Sequence, residues 1–145
     1  MPFNPRSICR MSAFLDELAS NNMVASHISR STYRLRDHIV SIRTTTKPGP
    51  IYWYDISQSV MNEVEYLIYQ MDSPKHFVTF PSSFFRRHYE ELKDSNRPHA
   101  KQFYLNWRDK TIVSKPAFTA AIRQCCCSTE RGDSYGNWRD IFVPT

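Results

Sequence analysis

Short runs of aromatic and β-branched residues, each closed by a turn-forming segment, constrain the fold of this chain most strongly. The run IYWYDI (Ile51–Ile56) follows the breaker KPGP (Lys47–Pro50), and residues His38–Thr46 before it also have strand character. Two such runs around a Pro-Gly turn predict a β-hairpin. A second hairpin is predicted from KQFYLNW and TIVSK, which flank the turn RDK.

Helical patterns alternate with these runs. Apolar side chains recur at three- and four-residue steps in Ser12–Asn22, Val60–Met71 and Ser82–Asp94, and Pro116 is positioned to begin another helix through Ile122 to the cysteines. The stretch SHISRSTYRLRDHIVSIRTTT is ambiguous, because its front half suits a helix and its back half, from His38 to Thr46, suits a strand. HFVTF is predicted as a strand, and NWRDIFV as an edge strand at the end of the chain. The predicted element order is therefore α-β-β-α-β-α-β-β-α-β.

Hairpins that are each followed by a helix predict the α+β class. We expect an antiparallel or mixed sheet with helices packed mainly on one face. A chain of 145 residues can bury one core without disulfides or metals. We therefore predict a single globular domain over residues 1–145, with residues 1–11 and 128–136 as its candidate flexible segments.

Composition argues against several classes of protein. Three glycines are too few for a Gly-rich phosphate loop. The apolar runs are far shorter than the ~20 residues that cross a bilayer, and the N-terminal segment lacks the apolar core of a signal peptide. The four cysteines, Cys9 alone and Cys125–Cys127 in a row, lack the spacing of a secreted disulfide scaffold. We expect a cytoplasmic protein without membrane association.

The formal net charge is +5, and arginine supplies most of the positive charge. A guanidinium group forms planar, forked hydrogen bonds with phosphate, and exposed aromatic rings stack on unpaired bases. The basic stretches also carry aromatic residues, which favours a non-enzymatic module that binds RNA or single-stranded DNA. The candidate contact residues are Arg34, Arg36, Arg86, Arg87, Lys101, Tyr104, Trp107, Arg108 and Lys110.

The stretch YLNWRD (Tyr104–Asp109) returns as YGNWRD (Tyr135–Asp140). Repeat proteins need at least three units, and the flanks of these two copies differ, so the echo does not indicate a repeat fold. Both copies are predicted to lie at the entry to strands. Trp107 in the first copy is a candidate for base stacking, whereas Trp138 in the second is expected to serve packing.

No catalytic, metal or cofactor site is predicted. The five histidines lack the spacing of zinc ligands, and three adjacent cysteines would point in different directions on a helix. Two alternative functions remain open. One is a structural or protein-interaction subunit of a homo-oligomer or larger complex, with contacts made by the aromatic strand Ile51–Ile56 and the acidic helix Glu63–Asp72. The other is a small nuclease, for which the candidates are His88, His99 and Lys101, or Asp37, Asp55 and Asp109 with Lys110.

Overall fold

The computed structural model describes residues 5–47, 49–115, 118–130 and 138–142, with side chains from residue 11 onward. Four helices are described: α1 (Pro5–Ser20), α2 (Gln58–Glu63), α3 (Ser82–His88) and α4 (Trp138–Phe142). The strands of the first half are β1 (Ala25–Ser29), β2 (Thr32–Leu35), β3 (His38–Arg43), β4 (Ile51–Ser57) and β5 (Tyr66–Gln70). Those of the second half are β6 (His76–Pro81), β7 (Lys93–Asp94), β8 (Ala100–Asn106), β9 (Thr111–Val113), β10 (Thr119–Ala121) and β11 (Cys126–Ser128).

The strands form two sheets. The larger sheet has six strands in the order β1-β2-β3-β5-β6-β11, and β3 and β5 run parallel while its other pairs are antiparallel. The smaller sheet has the order β10-β9-β8-β4, with β7 also pairing with β8, and all its pairs are antiparallel. The α+β class is therefore confirmed, with a mixed sheet among its elements.

Two hydrophobic cores hold the layers together. The first lies between the sheets and contains a cluster of aromatic rings, with Phe103 of β8 packed 5.4 Å from Tyr69 and 5.2 Å from Phe85 between ring centroids. The second lies on the opposite face of the larger sheet, where α1 contributes Phe14 and Leu18. The larger sheet is thus buried on both faces, and the smaller sheet uses one face for the core.

The predicted hairpin between His38–Thr46 and Ile51–Ile56 is wrong. Both strands exist, but β3 pairs with β2 and β5, whereas β4 pairs with β8 in the other sheet. The ambiguous front half of SHISRSTYRLRDHIVSIRTTT, whose pattern suits a helix, forms β1 and β2 instead. Their turns place Arg30 and Arg36 at φ angles of 48° and 56°. Glycine or asparagine usually marks such turns, and neither occurs here.

The helix predicted over Val60–Met71 covers two different elements. Only α2 is helical, and the chain becomes extended at Val64 before β5 begins. Leu67 and Tyr69 face one core and Ile68 faces the other. A strand buried on both faces has a continuous apolar run, which matches helical spacing equally well.

Three further elements differ from the predictions in length or in type. The helix expected over Ser82–Asp94 ends at His88, and a 3-10 turn and β7 follow it. The described part of the helix expected from Pro116 to the cysteines instead forms β10 and a 3-10 turn at Arg123–Cys125. The expected strand NWRDIFV is helical over Trp138–Phe142. Residues 116 and 117, and residues 1–4 and 131–136 of the segments predicted to be flexible, lie outside the described residues.

The strand HFVTF is confirmed as β6, and the hairpin between KQFYLNW and TIVSK is confirmed as β8 and β9. Across the described ranges, no helix combines the length and the apolar character needed to cross a membrane.

Candidate nucleic-acid interface

The outer face of the smaller sheet exposes two aromatic rings side by side. In the pairing of β4 with β8, Trp53 lies directly opposite Tyr104, and Ile51 lies opposite Asn106. Trp53 is 42% exposed, Tyr104 44% and Ile51 55%. Directly opposite residues of an antiparallel pair have Cβ atoms roughly 4.5–5.5 Å apart, so these side chains form one continuous surface.

Strand alternation explains why these residues face outward. Along β4, Tyr52 and Tyr54 enter the core between the sheets, and Phe103 and Leu105 of β8 do the same. Successive side chains of a strand point to opposite faces, so the residues between these four must point away from the core. The exposure of Trp53 and Tyr104 is therefore a direct consequence of packing the opposite face of the sheet.

The neighbouring strands extend this face with smaller side chains. Tyr104 pairs with Val113, which in turn pairs with Thr119, and Thr111 pairs with Ala121 in the next row. Paired residues lie on the same face of a sheet, so these four surround the ring of Tyr104 and the side chain of Asn106. The aromatic rings are thus the largest side chains on the surface, which we call the aromatic face (Ile51, Trp53, Tyr104, Asn106, Thr111, Val113, Thr119 and Ala121).

Cationic side chains border the aromatic face. Lys93 of β7 lies opposite Gln102, on the same side of the sheet as the two rings. Arg108 is exposed in the turn between β8 and β9. Asp55 follows Trp53 by two residues on β4, and its Oδ2 atom lies 2.9 Å from Arg97 Nη2.

Two arginines share the carboxylate of Asp55, which is only 5% exposed. Arg43 Nη1 donates to Asp55 Oδ1 at 3.0 Å, and Arg97 contacts the second oxygen. One carboxylate cannot neutralise two guanidinium groups, so this set of three side chains keeps a net positive charge. The ion pairs also hold both guanidinium groups in defined positions.

The predicted contact residues are divided among several surfaces. Arg34 is exposed on β2 of the larger sheet, and Arg36 donates to the carbonyl of Asn22 at 2.9 Å. Arg86 and Arg87 lie on α3, where Arg86 Nη1 donates to Ser82 Oγ at 2.9 Å. Neither pair lies on the smaller sheet, so these arginines do not share a surface with Tyr104.

Two of the predicted lysines and Trp107 are engaged in contacts within the chain. Lys101 is 8% exposed, and its Nζ donates to Asp94 Oδ1 at 2.8 Å. This hydrogen bond raises the pKa of Lys101 and lowers that of Asp94. The ring of Trp107 stacks on His76 at 4.9 Å between centroids, and Lys110 Nζ lies 4.1 Å from the Trp107 ring centroid. Of the predicted set, Tyr104 belongs to the aromatic face and Arg108 borders it.

The two NWRD stretches adopt different structures. The first covers the end of β8 and the following turn, where Asn106 Oδ1 accepts from the Asp109 backbone N–H at 2.9 Å. In the second, Trp138 begins α4, is buried in the second core, and donates from Nε1 to the Ser128 carbonyl at 3.1 Å. The prediction that both copies enter strands is wrong, because the tryptophan of the second copy begins a helix rather than a strand. Tyr135, Gly136 and Asn137 lie outside the described residues.

The candidate nuclease residues make separate contacts. His88 Nδ1 lies 3.1 Å from Glu91 Oε1, and the His99 carbonyl accepts from the Gln58 backbone N–H at 2.8 Å. Asp55 is bound by two arginines, and Asp37 is exposed in the turn between β2 and β3. Among the residues that the structure describes, no three His, Cys, Asp or Glu side chains are placed to hold a metal ion.

The cysteine triplet has the environment of packing residues rather than of a reactive site. Cys126 and Cys127 are buried, Cys125 is half-buried, and all three are free thiols. Burial raises the pKa of Cys125 to about 11 and those of Cys126 and Cys127 to about 12. Thiolates are the nucleophilic form, so these side chains are poorly reactive at neutral pH.

Trp53, Ile51, Lys93 and Arg97 were not among the predicted nucleic-acid contact residues. The signal for the first two was present in IYWYDI, because alternation in a strand separates Ile51 and Trp53 from Tyr52 and Tyr54. No comparable signal exists for Arg97, whose partner Asp55 is distant in sequence. The chain matches no protein-family model, and comparisons with curated proteins and with solved structures find no significant match.

Proposed function

We propose that the aromatic face binds single-stranded nucleic acid, RNA or single-stranded DNA, without catalysing a reaction on it. The observation that carries this proposal is the exposed cross-strand pair of Trp53 and Tyr104. Two bases can stack on two adjacent rings, and stacking of this kind tolerates any base sequence. The proposed setting is cytoplasmic, which agrees with the free thiols of the cysteine triplet.

Charge at the border supports the choice of ligand. Lys93, Arg97 and Arg108 lie around the rings, so a strand that crosses the aromatic face can bring its phosphates to them. Phosphate neutralisation releases counterions, and three such contacts give a slope of about −2 in a plot of log K against log salt for a single strand. A purely apolar partner surface would not produce that slope.

The test uses a short fluorescein-labelled oligo(dT) and an oligo(U) of equal length, with binding followed by anisotropy across a salt series. Trp53→Ala and Tyr104→Ala are each expected to weaken binding by about fivefold to a hundredfold, the range that loss of one stacked base produces. Ile28→Ala is the matched control, since Ile28 is an exposed apolar residue on β1 of the other sheet. Circular dichroism checks that the variants keep the fold.

A second pair of variants separates this surface from the arginines predicted on α3. Lys93→Glu with Arg108→Glu should greatly weaken binding, whereas Arg86→Glu with Arg87→Glu should affect it less. If Arg86→Glu with Arg87→Glu weakens binding while Trp53→Ala and Tyr104→Ala bind fully, the interface lies on α3. That result would refute binding at the aromatic face. Millimolar affinity for both oligomers at low salt would reject nucleic-acid binding altogether.

The alternative of a protein-interaction subunit rests on the same exposed rings and on Ile51. It predicts that light scattering detects a discrete oligomer and that this oligomer does not bind nucleic acid. The Trp53→Ala variant should dissociate. That outcome would replace the present proposal.

A further inference from the structure

A polar cavity opens beside β4, the edge strand of the smaller sheet, and residues of both sheets line it. Its volume is about 370 Å³, within the range of small-molecule sites. Its walls come from the β1–β2 hairpin with its turn, from β3, β4, α2 and β5, and from the segment between β7 and β8. We call it the arginine cavity after Arg30, Arg43 and Arg97, which line it.

The arginines come from three separate places in the chain, and Asp55 fixes two of them. Asp55 Oδ1 accepts from Arg43 Nη1 at 3.0 Å, and Asp55 Oδ2 lies 2.9 Å from Arg97 Nη2. Each contact involves one nitrogen of a guanidinium group that carries five N–H donors. Arg30 approaches from the β1–β2 turn, where its backbone has a φ of 48°.

Hydroxyl groups make up much of the remaining wall. Ser31 Oγ, in the turn between β1 and β2, lies 3.2 Å from Ser41 Oγ of β3. Ser57 and Ser59 line the side formed by β4 and α2. Among the described residues that line the cavity, the aromatic side chain is that of Tyr69, which is buried in the first core. The cavity therefore offers hydrogen-bond donors and positive charge, with no exposed ring on which a base would stack.

The charges define the class of ligand. Three arginines face the carboxylates of Asp55 and Glu63, which leaves the cavity with an excess of positive charge. Guanidinium groups bind phosphate through paired N–H···O bonds, and a terminal phosphate presents three oxygens to several donors at once. A sugar attached to that phosphate would meet the serine hydroxyls.

We propose that the arginine cavity binds a phosphomonoester carried on a sugar. Two sources share this chemistry: a free sugar phosphate, and the terminal phosphate of a nucleic-acid chain. Asp55 follows Trp53 by two residues on the same side of β4, a distance of roughly 7 Å along the strand. A chain on the aromatic face could thus end in the cavity, but the site itself does not depend on the proposed function.

The experiment is isothermal titration of the full chain at low salt with ribose 5-phosphate, ribose, inorganic phosphate and sulfate. Ribose 5-phosphate should bind saturably and more tightly than inorganic phosphate or sulfate, while ribose should not bind. Arg30→Gln and Arg43→Gln are each expected to weaken binding about tenfold or more, since each removes charge-assisted hydrogen bonds. Arg34→Gln is the control, because Arg34 is exposed on β2 and outside the cavity wall.

Two short oligonucleotides, one with a 5′-phosphate and one with a 5′-hydroxyl, distinguish the sources. If the phosphorylated strand binds more tightly and Arg30→Gln removes this difference, the ligand is the end of a nucleic-acid chain. If both strands bind equally while ribose 5-phosphate binds saturably, the ligand is a free sugar phosphate. The proposal is overturned if ribose 5-phosphate fails to bind at millimolar concentration, if sulfate binds as tightly, or if Arg34→Gln weakens binding as much as Arg30→Gln. Failure of oligonucleotide binding alone would refute only the proposed function.

Discussion

Replacement of Asp55 by asparagine tests whether the shared carboxylate holds the edge of the two sheets together. An asparagine at this position would keep the shape of the side chain, but its carbonyl oxygen replaces only one of the two carboxylate oxygens, and each of these contacts a different arginine. Its amide N–H donors would face the other guanidinium group, which also only donates. The variant therefore loses one charge-assisted bond and leaves a cation without its acceptor.

The magnitude follows from the exposure of the three groups. The side chain of Asp55 is 7% exposed, whereas those of Arg43 and Arg97 are 37% and 58% exposed. Hydrogen bonds to charged groups contribute about 1.5–3 kcal/mol, and fully exposed ion pairs contribute about 0–1 kcal/mol. With a buried acceptor and solvated donors, we expect Asp55→Asn to lower the free energy of unfolding by about 1.5–2.5 kcal/mol.

Urea denaturation at neutral pH measures this loss as a lower midpoint with an unchanged m-value. Asp37→Asn is the control, since Asp37 is exposed in a turn and its replacement should change stability by less than about 0.5 kcal/mol. Arg97→Ala should destabilise the natural protein but have little effect in the Asp55→Asn background, because the two residues interact directly. A loss below about 0.5 kcal/mol in Asp55→Asn, or additive effects in that cycle, would refute the role assigned to the carboxylate.

Two further predictions concern titratable groups. The backbone N–H that Glu65 binds on β3 lowers the pKa of Glu65 below its unfolded value, so this interaction stabilises the fold at neutral pH and is lost as pH falls through the folded pKa. In thermal melts, Glu65→Gln should therefore be less stable than the natural protein at pH 7 and should approach its stability only as the pH falls through the lowered folded pKa of Glu65. Glu63→Gln should match the natural protein at each pH, and a pH-independent difference for Glu65→Gln would contradict this. In a Cys9→Ser background, the Cys125–Cys127 triplet should react with a thiol reagent at pH 8 only slowly and should react fully in urea; rapid reaction of all three thiols in the native protein would show that they are exposed.

The β8–β9 hairpin and β6 were predictable because their signals are local. Each is a short run of aromatic and β-branched residues bounded by turn-forming sequence, and neighbouring strands that pair directly need no distant partner. The α+β class followed from the same alternation of runs. The strand conformation of β5 was not predictable from Tyr66–Gln70 alone, because a strand that is covered on both faces and a buried helical segment have the same apolar pattern.

The residues of the candidate sites divide in the same way. Basic and aromatic character was visible in the sequence, and Tyr104 and Arg108 were predicted from it. The participation of Arg97 was not, because its position depends on an ion pair with Asp55 that forms only when the β7–β8 segment packs beside β4. Contacts between residues that are distant in sequence produce no periodic pattern in the sequence.

The sequence by itself determined which side chains of β4 lie on the same face, because alternation in a strand is a property of the backbone. It could not determine which of those two faces would be covered. The tertiary structure decided this by packing Tyr52 and Tyr54 against the larger sheet, which left Trp53 and Ile51 exposed. Burial of a strand face depends on another layer, and the residues of that layer are far away in the chain.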